Sequence, residues 1–370
     1  MGEPKRRLVV LFGGRSAEHE VSVLSARSVL AALDPTRYEL VTIGIDKQGR
    51  WHQLSALPEA ARAGKLPAVT SAVGESVELS NEPGEAALVT ADGERRPIDV
   101  VFPLLHGPFG EDGTVQGMLE LAGVPYVGAG VLASAVGMDK AVQKVLFAAA
   151  GLPVVAHEVV HERDWEQDRD EVRTRALRLG LPLFVKPATL GSSVGITKVH
   201  RPEVLAAAVE EALSFARKAI VEASVEGARE IECAVLGNDE PVASLPGEVL
   251  PAPDAEFYDY RAKYLEEGTR FEVPARLPED VAARIQQLSV AAFRAIDGAG
   301  MARVDFFYRE PDGLVLNEIN TIPGFTPGSM YPMMWEASGV PYADLVDRLV
   351  DLAVERHGRE RKRGRGLDDT

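Results

Sequence analysis

The chain of 370 residues contains a single cysteine, Cys233. One thiol can form no intrachain disulfide and no thiolate metal cluster. It is expected to be a buried structural thiol, the usual condition of free cysteine. Long apolar runs are equally scarce. The N-terminal stretch MGEPKRRLVVLFGG begins with basic residues, but its apolar run covers only Leu8 to Phe12, short of the roughly 7–15 residues of a signal-peptide core. No segment approaches the about 18–20 apolar residues of a membrane span. These absences point to a soluble, reduced, cytoplasmic protein. Basic charge is in deficit too: 40 Lys and Arg stand against 56 Asp and Glu, a formal net charge of −16. Nucleic-acid binders usually carry a basic domain, so neither nucleic acid nor membrane is expected as a partner. A locally basic site for an anionic small molecule stays open.

What is present is ordinary globular material, with 46% hydrophobic and 26% charged residues. At roughly 150 residues per domain the length allows about two to three domains. RLVVLF reads as a strand ended by GGRSAEHE; an Ala/Ser/Leu-rich helix follows to about Leu33, Asp34-Pro35 stops it, and ELVTIGI is the next strand. This rhythm predicts an α/β unit with parallel strands. Residues 46–97, rich in Gly, Pro, Ser and Glu, read as irregular before IDVVFPLL and the helix TVQGMLELAG resume the pattern. Past Met138, DKAVQKVLFAAAG reads as a helix ended by Gly151, and LPLFVKP, VGITKVH, KAIVEASV, REIECAVLG and PVASLPGEVL read as strands. Residues 251–268 hold two prolines and four Tyr or Phe residues without a clean period, which suggests a long functional loop. The tail RHGRERKRGRGLDDT reads as disordered.

Two stretches carry candidate chemistry. VKPATLGSSVG has the composition of a phosphate loop, but Lys186 precedes the glycines, the reverse of a Walker A loop. RVDFFYREPDGLVLNEIN predicts a hairpin turning at Pro311-Asp312-Gly313. Alternation along a strand puts Arg303 and Asp305 on one face, and Glu318 and Asn320 likewise. If the turn brings those faces together, one surface gathers two carboxylates, an amide oxygen and a guanidinium. Three hard oxygen ligands without His or Cys suit Mg²⁺. The alternative is an exposed, salt-bridged hairpin, against which the apolar neighbours Phe306, Phe307, Leu316 and Ile319 argue. TIPGFTPGSMYP follows, and its Pro-Gly steps let backbone N–H groups approach a ligand closely. Ser329 falls where the next helix would begin, either as part of an anion site or as a plain N-cap.

The ordered set GGRSAEHEVS, HGPFGEDGTVQG, MDK, FVKPATLGSSVGI, EIECAVLGN, FYDYRAKY, RVDFF and NEINTIPG, running from Gly13 to Met330, resembles the D-alanine–D-alanine ligase family. The resemblance implies an N-terminal α/β domain with an open parallel sheet (the pre-ATP-grasp domain) over residues 1–137. A two-lobed α+β ATP-grasp fold would follow, its small lobe over 138–220 and its large lobe over 221–358, with 359–370 as the disordered tail. It also implies ATP-dependent joining of two D-alanines through D-alanyl phosphate, for peptidoglycan precursor synthesis. The implied cofactors are ATP and two Mg²⁺ (or Mn²⁺), and the implied assembly is a homodimer.

By motif match, Asp305, Glu318 and Asn320 would hold the metals. Lys140, Lys186 and Lys263 would contact the ATP phosphates, with Ser193 and Asn317 also at the nucleotide. Glu222 and the backbone at Ala223 and Val225 would bind the adenine edge, and Glu230 the ribose. Ala223 departs from members that carry lysine there, so base recognition would lean on backbone. Arg303 and the Gly324 N–H would stabilise the oxyanion of the tetrahedral intermediate. Glu18 would bind the ammonium of the first D-alanine, although from the residues alone Glu20 and Glu111 compete for that role. His106 would sit near the first substrate's carboxylate, a reading weighed against a purely local hydrogen-bonding role. Ser329 and the Met330 N–H would take the carboxylate of the second D-alanine. Ser192 and Tyr264 would link with Glu18. Ester-forming relatives carry histidine at the Tyr264 position, so the tyrosine favours the dipeptide. Rival readings are a D-alanine–D-serine or D-alanine–D-lactate ligase, a non-catalytic nucleotide-binding regulator, and a nicotinamide oxidoreductase. The last lacks the third glycine of the fingerprint.

Overall fold

The structure, a computed structural model, describes residues 4–54, 69, 74–80, 82, 85–191, 194–251, 269–310 and 313–368. Its N-terminal part comprises β1 (Arg6–Gly13), α1 (His19–Ala32), β2 (Tyr38–Ile45), β3 (Trp51–Gln53), β4 (Glu75–Leu79), β5 (Ala87–Thr90), β6 (Arg95–Pro97), β7 (Val100–Pro103) and α2 (Thr114–Leu121). The seven strands form one sheet in the order β6-β5-β4-β3-β2-β1-β7. Strand β1 is buried on both faces, and its period of two divides it: Leu8, Val10 and Phe12 pack with Ala26, Val29 and Leu30 of α1, while Val9 and Leu11 pack with Val115 and Leu119 of α2.

Only β7, β1 and β2 run parallel; β3 to β6 add on antiparallel. The sheet is therefore mixed, and the segment 46–97 that reads as irregular supplies four of its strands. Those strands are only three to five residues long, too short for alternation to stand out. Long-range polar pairs help align them: Arg96 donates to Gln53 and Glu75, each at 2.7 Å.

After α3 (Val131–Met138) and α4 (Lys140–Ala149) comes a four-stranded antiparallel sheet, ordered β10-β9-β11-β8. It is built from β8 (His157–His161), β9 (Leu183–Pro187), β10 (Thr197–Val199) and β11 (Lys218–Ala223), covered by α5 (Glu162–Gln167), α6 (Arg169–Leu177) and α7 (Leu205–Phe215). The third sheet contains β12 (Arg229–Gly237), β13 (Val242–Ala243), β14 (Gly247–Leu250), β15 (Arg270–Glu272), β16 (Gly300–Arg309) and β17 (Gly313–Asn320). Helices α8 (Glu279–Ala295), α9 (Met330–Ala337) and α10 (Tyr342–Asp368) complete it.

Two expectations change here. Residues 140–152, assigned above to the small lobe, pack on the six-stranded sheet: Phe147 and Leu152 join the cluster of Ile231, Val304, Phe306 and Ile319. The amphipathic face of α4 finds its apolar partner there and not on the four-stranded sheet. The tail is not disordered over its whole length, since α10 continues to Asp368. Charges at helical spacing support it, as Arg359 pairs with Glu355 one turn back (2.5 Å) and with Asp239. Arg356 stacks on the Tyr126 ring at 4.4 Å and donates to the Gly128 carbonyl. Among the described residues no helix is long and apolar enough to cross a membrane.

Candidate active site

The six-stranded sheet has two unlike faces. On one, Ile231, Cys233 and Val235 of β12 and Ala302, Val304 and Phe306 of β16 bury against Ile285, Leu288 and Ala292 of α8. The opposite face begins apolar, where Ala234, Leu236 and Met301 lie under Tyr331 and Trp335 of α9. Beyond that cover the same face turns polar, with Glu232 opposite Asp305 on β12 and β16. On the β16–β17 side Asp305 faces Glu318, and Arg303 faces Asn320. The hairpin thus gathers the four side chains that alternation grouped. A register shift after Asp305 makes Asn317 an extra residue in β17, so Asn317 and Glu318 are successive positions lining the cleft between Leu316 and Ile319 in the core.

This face is tightly compensated. Arg303 forms a two-pronged bridge to Asp305, at 2.8 and 2.7 Å, and reaches Glu232 at 3.1 Å. Burial alone would disfavour its charge, but Asp305 and Glu232 hold the guanidinium well above its ordinary value. The Asn320 amide donates to Asp305 Oδ2 at 3.1 Å, and Lys140 Nζ lies 3.1 Å from Glu318 Oε2. Lys140 also donates to the Leu190 carbonyl at 3.0 Å, tying the glycine loop to this face. Among the described residues no three His, Cys, Asp or Glu side chains cluster as a complete metal cage. The set on hand, two carboxylates and one amide, is all hard oxygen. It fits a cation such as Mg²⁺, which keeps waters and takes further oxygens from phosphates.

At the other side of the cleft, Lys186 Nζ lies 2.6 Å from Glu222 Oε2, and the fully buried Lys144 lies 2.9 Å from Glu222 Oε1. Burial works against Glu222's charge, yet Lys144 and Lys186 bring its carboxyl down to about 2. Glu222, Ala223, Val225 and Glu230 all line this end. The Ala223 N–H is engaged with the Ala156 carbonyl at 2.9 Å, and the Val225 carbonyl with the Ala228 N–H at 3.2 Å. The whole cleft encloses about 550 Å³ and runs from these residues past Lys140 and Asp305 to Glu18 and Ser329.

Glu18, at the N-terminus of α1, is buried. A Cβ on Gly107 would come within 2.8 Å of its Oε2, so glycine is what lets that carboxylate lie over the loop. The same oxygen lies 3.7 Å from the Cβ position of Gly191, beside the serine loop. Glu111 also approaches Gly107, accepting its N–H at 2.6 Å. Burial, and then the Glu18 charge, push the Glu111 carboxyl up to about 8. Glu20 is elsewhere, paired with Lys47 at 2.7 Å on the surface, which removes it as a competitor for the cleft.

His106 is buried, and both its ring nitrogens have protein partners: Nδ1 with the Ile322 carbonyl at 3.2 Å and Nε2 with Ser25 Oγ at 3.3 Å. A carbonyl only accepts, so Nδ1 carries the proton. Burial lowers its basicity against the opposing Glu18. His106 therefore pins α1 to the loop after β17, and it also lines the cleft. Ser329 occupies the N-cap position of α9 but makes no side-chain cap bond. Its Oγ instead meets Thr326 Oγ1 at 2.8 Å and accepts the Thr326 N–H at 3.1 Å. Gly324 lies alongside, where a Cβ would sit 3.1 Å from Ser329 Oγ. Gly324, Ser329 and Met330 all line the cleft.

Ser192, Ser193, Lys263 and Tyr264 lie outside the described residues. Three residues at the site escaped the sequence reading. Lys144 was signalled by a lysine on the apolar face of KAVQKVLF, Glu232 by its alternation with Ile231 and Cys233, and Thr326 by nothing beyond its place near Ser329.

Residues 7–129 match the family described as D-ala D-ala ligase N-terminus, and residues 146–351 the family described as D-ala D-ala ligase C-terminus. A D-alanine--D-alanine ligase of Pseudarthrobacter chlorophenolicus is 50% identical over 367 residues, covering 96% of each chain. The solved D-alanine-D-alanine ligase of Coxiella burnetii is 38% identical at a TM-score of 0.85, covering 99% of this chain and 100% of that one. The solved VanG D-Ala:D-Ser ligase of Enterococcus faecalis is 35% identical at a TM-score of 0.83, covering 95% and 100%.

Proposed function

The chain belongs to the D-alanine–D-alanine ligase family, and from that premise we propose that it joins two D-alanine molecules with ATP, for peptidoglycan precursor synthesis. The carboxylate of the first D-alanine attacks the γ-phosphorus, forming D-alanyl phosphate and releasing ADP. The amine of the second attacks the acyl carbon, and phosphate leaves from the tetrahedral intermediate. Such chemistry asks the protein for positioning and charge compensation more than for covalent participation.

The observation that carries this reading is the Asp305–Glu318 pair, facing the cleft with Arg303 and Asn320 on the same side. Asp305, Glu318 and Asn320 would hold two divalent cations, Mg²⁺ or Mn²⁺, with Asn317 beside the nucleotide. Bound there, the cations would neutralise phosphate charge. Lys140 and Lys186 meet the phosphates, helped by Lys263 and Ser193. Glu222 and the backbone at Ala223 and Val225 receive adenine, and Glu230 the ribose. At the amino-acid end Glu18 binds the first ammonium, with Ser192 and Tyr264 linked to it, and Arg303 and the Gly324 N–H receive the oxyanion. Ser329 and the Met330 N–H hold the second carboxylate. His106 supports the first substrate's site by fixing Ile322 and Ser25.

The proposed setting is the cytoplasm and the proposed assembly a homodimer. Met118 (36% exposed) and Leu121 (78%) on α2, Leu132 (61%) on α3 and Val145 (61%) on α4 leave apolar side chains uncovered on successive helices, a surface a second copy would bury. Light scattering of the wild type and of Leu121→Glu tests this, since a dimer that survives the charge places the interface elsewhere.

ADP and phosphate release with ATP, Mg²⁺ and D-alanine tests the reaction. Without D-alanine-dependent ADP formation the ligase reading fails. D-serine and D-lactate as second substrates test its narrowness. Turnover with either at neutral pH to the extent seen with D-alanine would replace the dipeptide reading.

A further inference from the structure

Lys144 belongs to none of the roles above, yet its side chain is entirely buried, at 0% exposure. It lies one turn after Lys140 on α4, beside Phe147, which enters the core. A buried ammonium is costly unless paired and hydrogen-bonded. Lys144 is both, 2.9 Å from Glu222 Oε1 and donating to the Asn317 carbonyl at 2.9 Å. These partners sit on different sheets, Glu222 on β11 and Asn317 at the irregularity of β17. One ammonium therefore joins the strand that faces the base to the strand that faces the phosphates.

The two lysines flanking Glu222 are not equivalent. Lys186 lines the cleft, whereas Lys144 approaches from behind, outside its lining. The carboxylate is thus held at Oε1 by the buried Lys144 and at Oε2 by the cleft-lining Lys186. Adenine carries an amine donor next to the N7 acceptor on one edge. A base with a carbonyl in the amine's place would set acceptor against acceptor.

We infer that Lys144 is a positioning residue, which anchors Glu222 from behind and so sets the preference of the nucleotide site for an amino-bearing purine. This rests on the reading of Glu222 as the adenine contact. Rates with ATP and with its inosine analogue, which has a carbonyl in place of the exocyclic amine, test it. Lys144→Met is expected to lower the preference for ATP about tenfold, through a raised KM for ATP, with KM for D-alanine changed by less than about twofold. In a Glu222→Gln background the same substitution should change the preference no further, because it acts through that carboxylate. Lys144→Arg, which keeps the charge, should retain most of the preference. If Glu222→Gln alone leaves the preference intact, the base contact has been misplaced. If Glu222→Gln removes the preference but folded Lys144→Met keeps it, the role given to Lys144 is overturned while that of Glu222 stands. Should Lys144→Met not fold, Lys144→Gln, uncharged but still able to donate to Asn317, is read by the same criterion.

Discussion

The two ends of the cleft treat a buried carboxylate in opposite ways. At the nucleotide end Glu222 has a lysine on each oxygen and is held down to about 2. At the amino-acid end Glu111 shares its loop with Glu18 and is pushed up to about 8. The first end stays ionised amid positive charge, ready for a ligand rich in phosphate. At the second, burial and the neighbouring Glu18 favour the protonated form of Glu111, so the proposed first ammonium would meet less negative charge there than two ionised carboxylates would present. On the proposed assignment, chemically similar side chains would sort an anionic nucleotide from an amino acid by their neighbours.

The contrast can be broken most severely at its centre. Glu318→Gln should reduce kcat roughly a thousandfold with an unchanged circular dichroism spectrum; retained turnover would remove Glu318 from the metal set. At the amino-acid end, Glu18→Gln should raise KM for D-alanine about a hundredfold and leave KM for ATP nearly unchanged. A rise in the ATP value instead would erase the division between the ends. At the nucleotide end the converse holds: Lys186→Met should raise KM for ATP about thirtyfold with little effect on D-alanine.

A subtler test uses pH. Glu111 has a raised folded value, so its contribution to stability is complete below its ordinary value near 4.5 and is lost as pH rises through about 8. Glu222 has a lowered one, so its contribution is present above about 4.5 and is lost as pH falls toward 2. Melting temperatures of Glu111→Gln should therefore fall less than those of the wild type between pH 5 and pH 8, and parallel curves would contradict the buried, proton-holding Glu111. The smallest effect belongs outside the cleft. Arg359→Ala, at a side chain 47% exposed, should cost only about 0.5 kcal/mol and leave both KM values alone.

What could be read in the sequence was whatever has a short period and local causes. Alternation is complete within RVDFF and EIN, so the grouping of Arg303, Asp305, Glu318 and Asn320 needed only the turn to close. The β1–α1–β2 rhythm was legible for the same reason. Strands β3 to β6 were not, because three to five residues carry too little alternation and their alignment comes from distant partners such as Arg96 with Glu75. The docking of α4 was hidden similarly: an apolar stripe states that a helix buries a face, but not which of two sheets receives it. Lys144 fell into the same gap, since its partners lie 78 and 173 positions along the chain, at Glu222 and Asn317. The continuation of α10 was masked by glycines and like charges, whose compensating partner Asp239 is remote.

Asn317 acts as a phase shift in β17. Leu316 and Ile319 both enter the core although they are three positions apart, which a regular strand forbids because odd separations fall on opposite faces. The inserted residue resets the count, so that one side of the hairpin keeps its apolar register while Glu318 and Asn320 stay in step with Asp305 and Arg303. Deleting Asn317 would bring Leu316, Glu318, Ile319 and Asn320 into plain alternation, so Glu318 and Asn320 would keep their face and the apolar pair theirs; what would go is the second cleft-lining side chain at this point and the carbonyl that Lys144 meets. The bulge thus adds one polar position to the cleft without disturbing the apolar layer behind it.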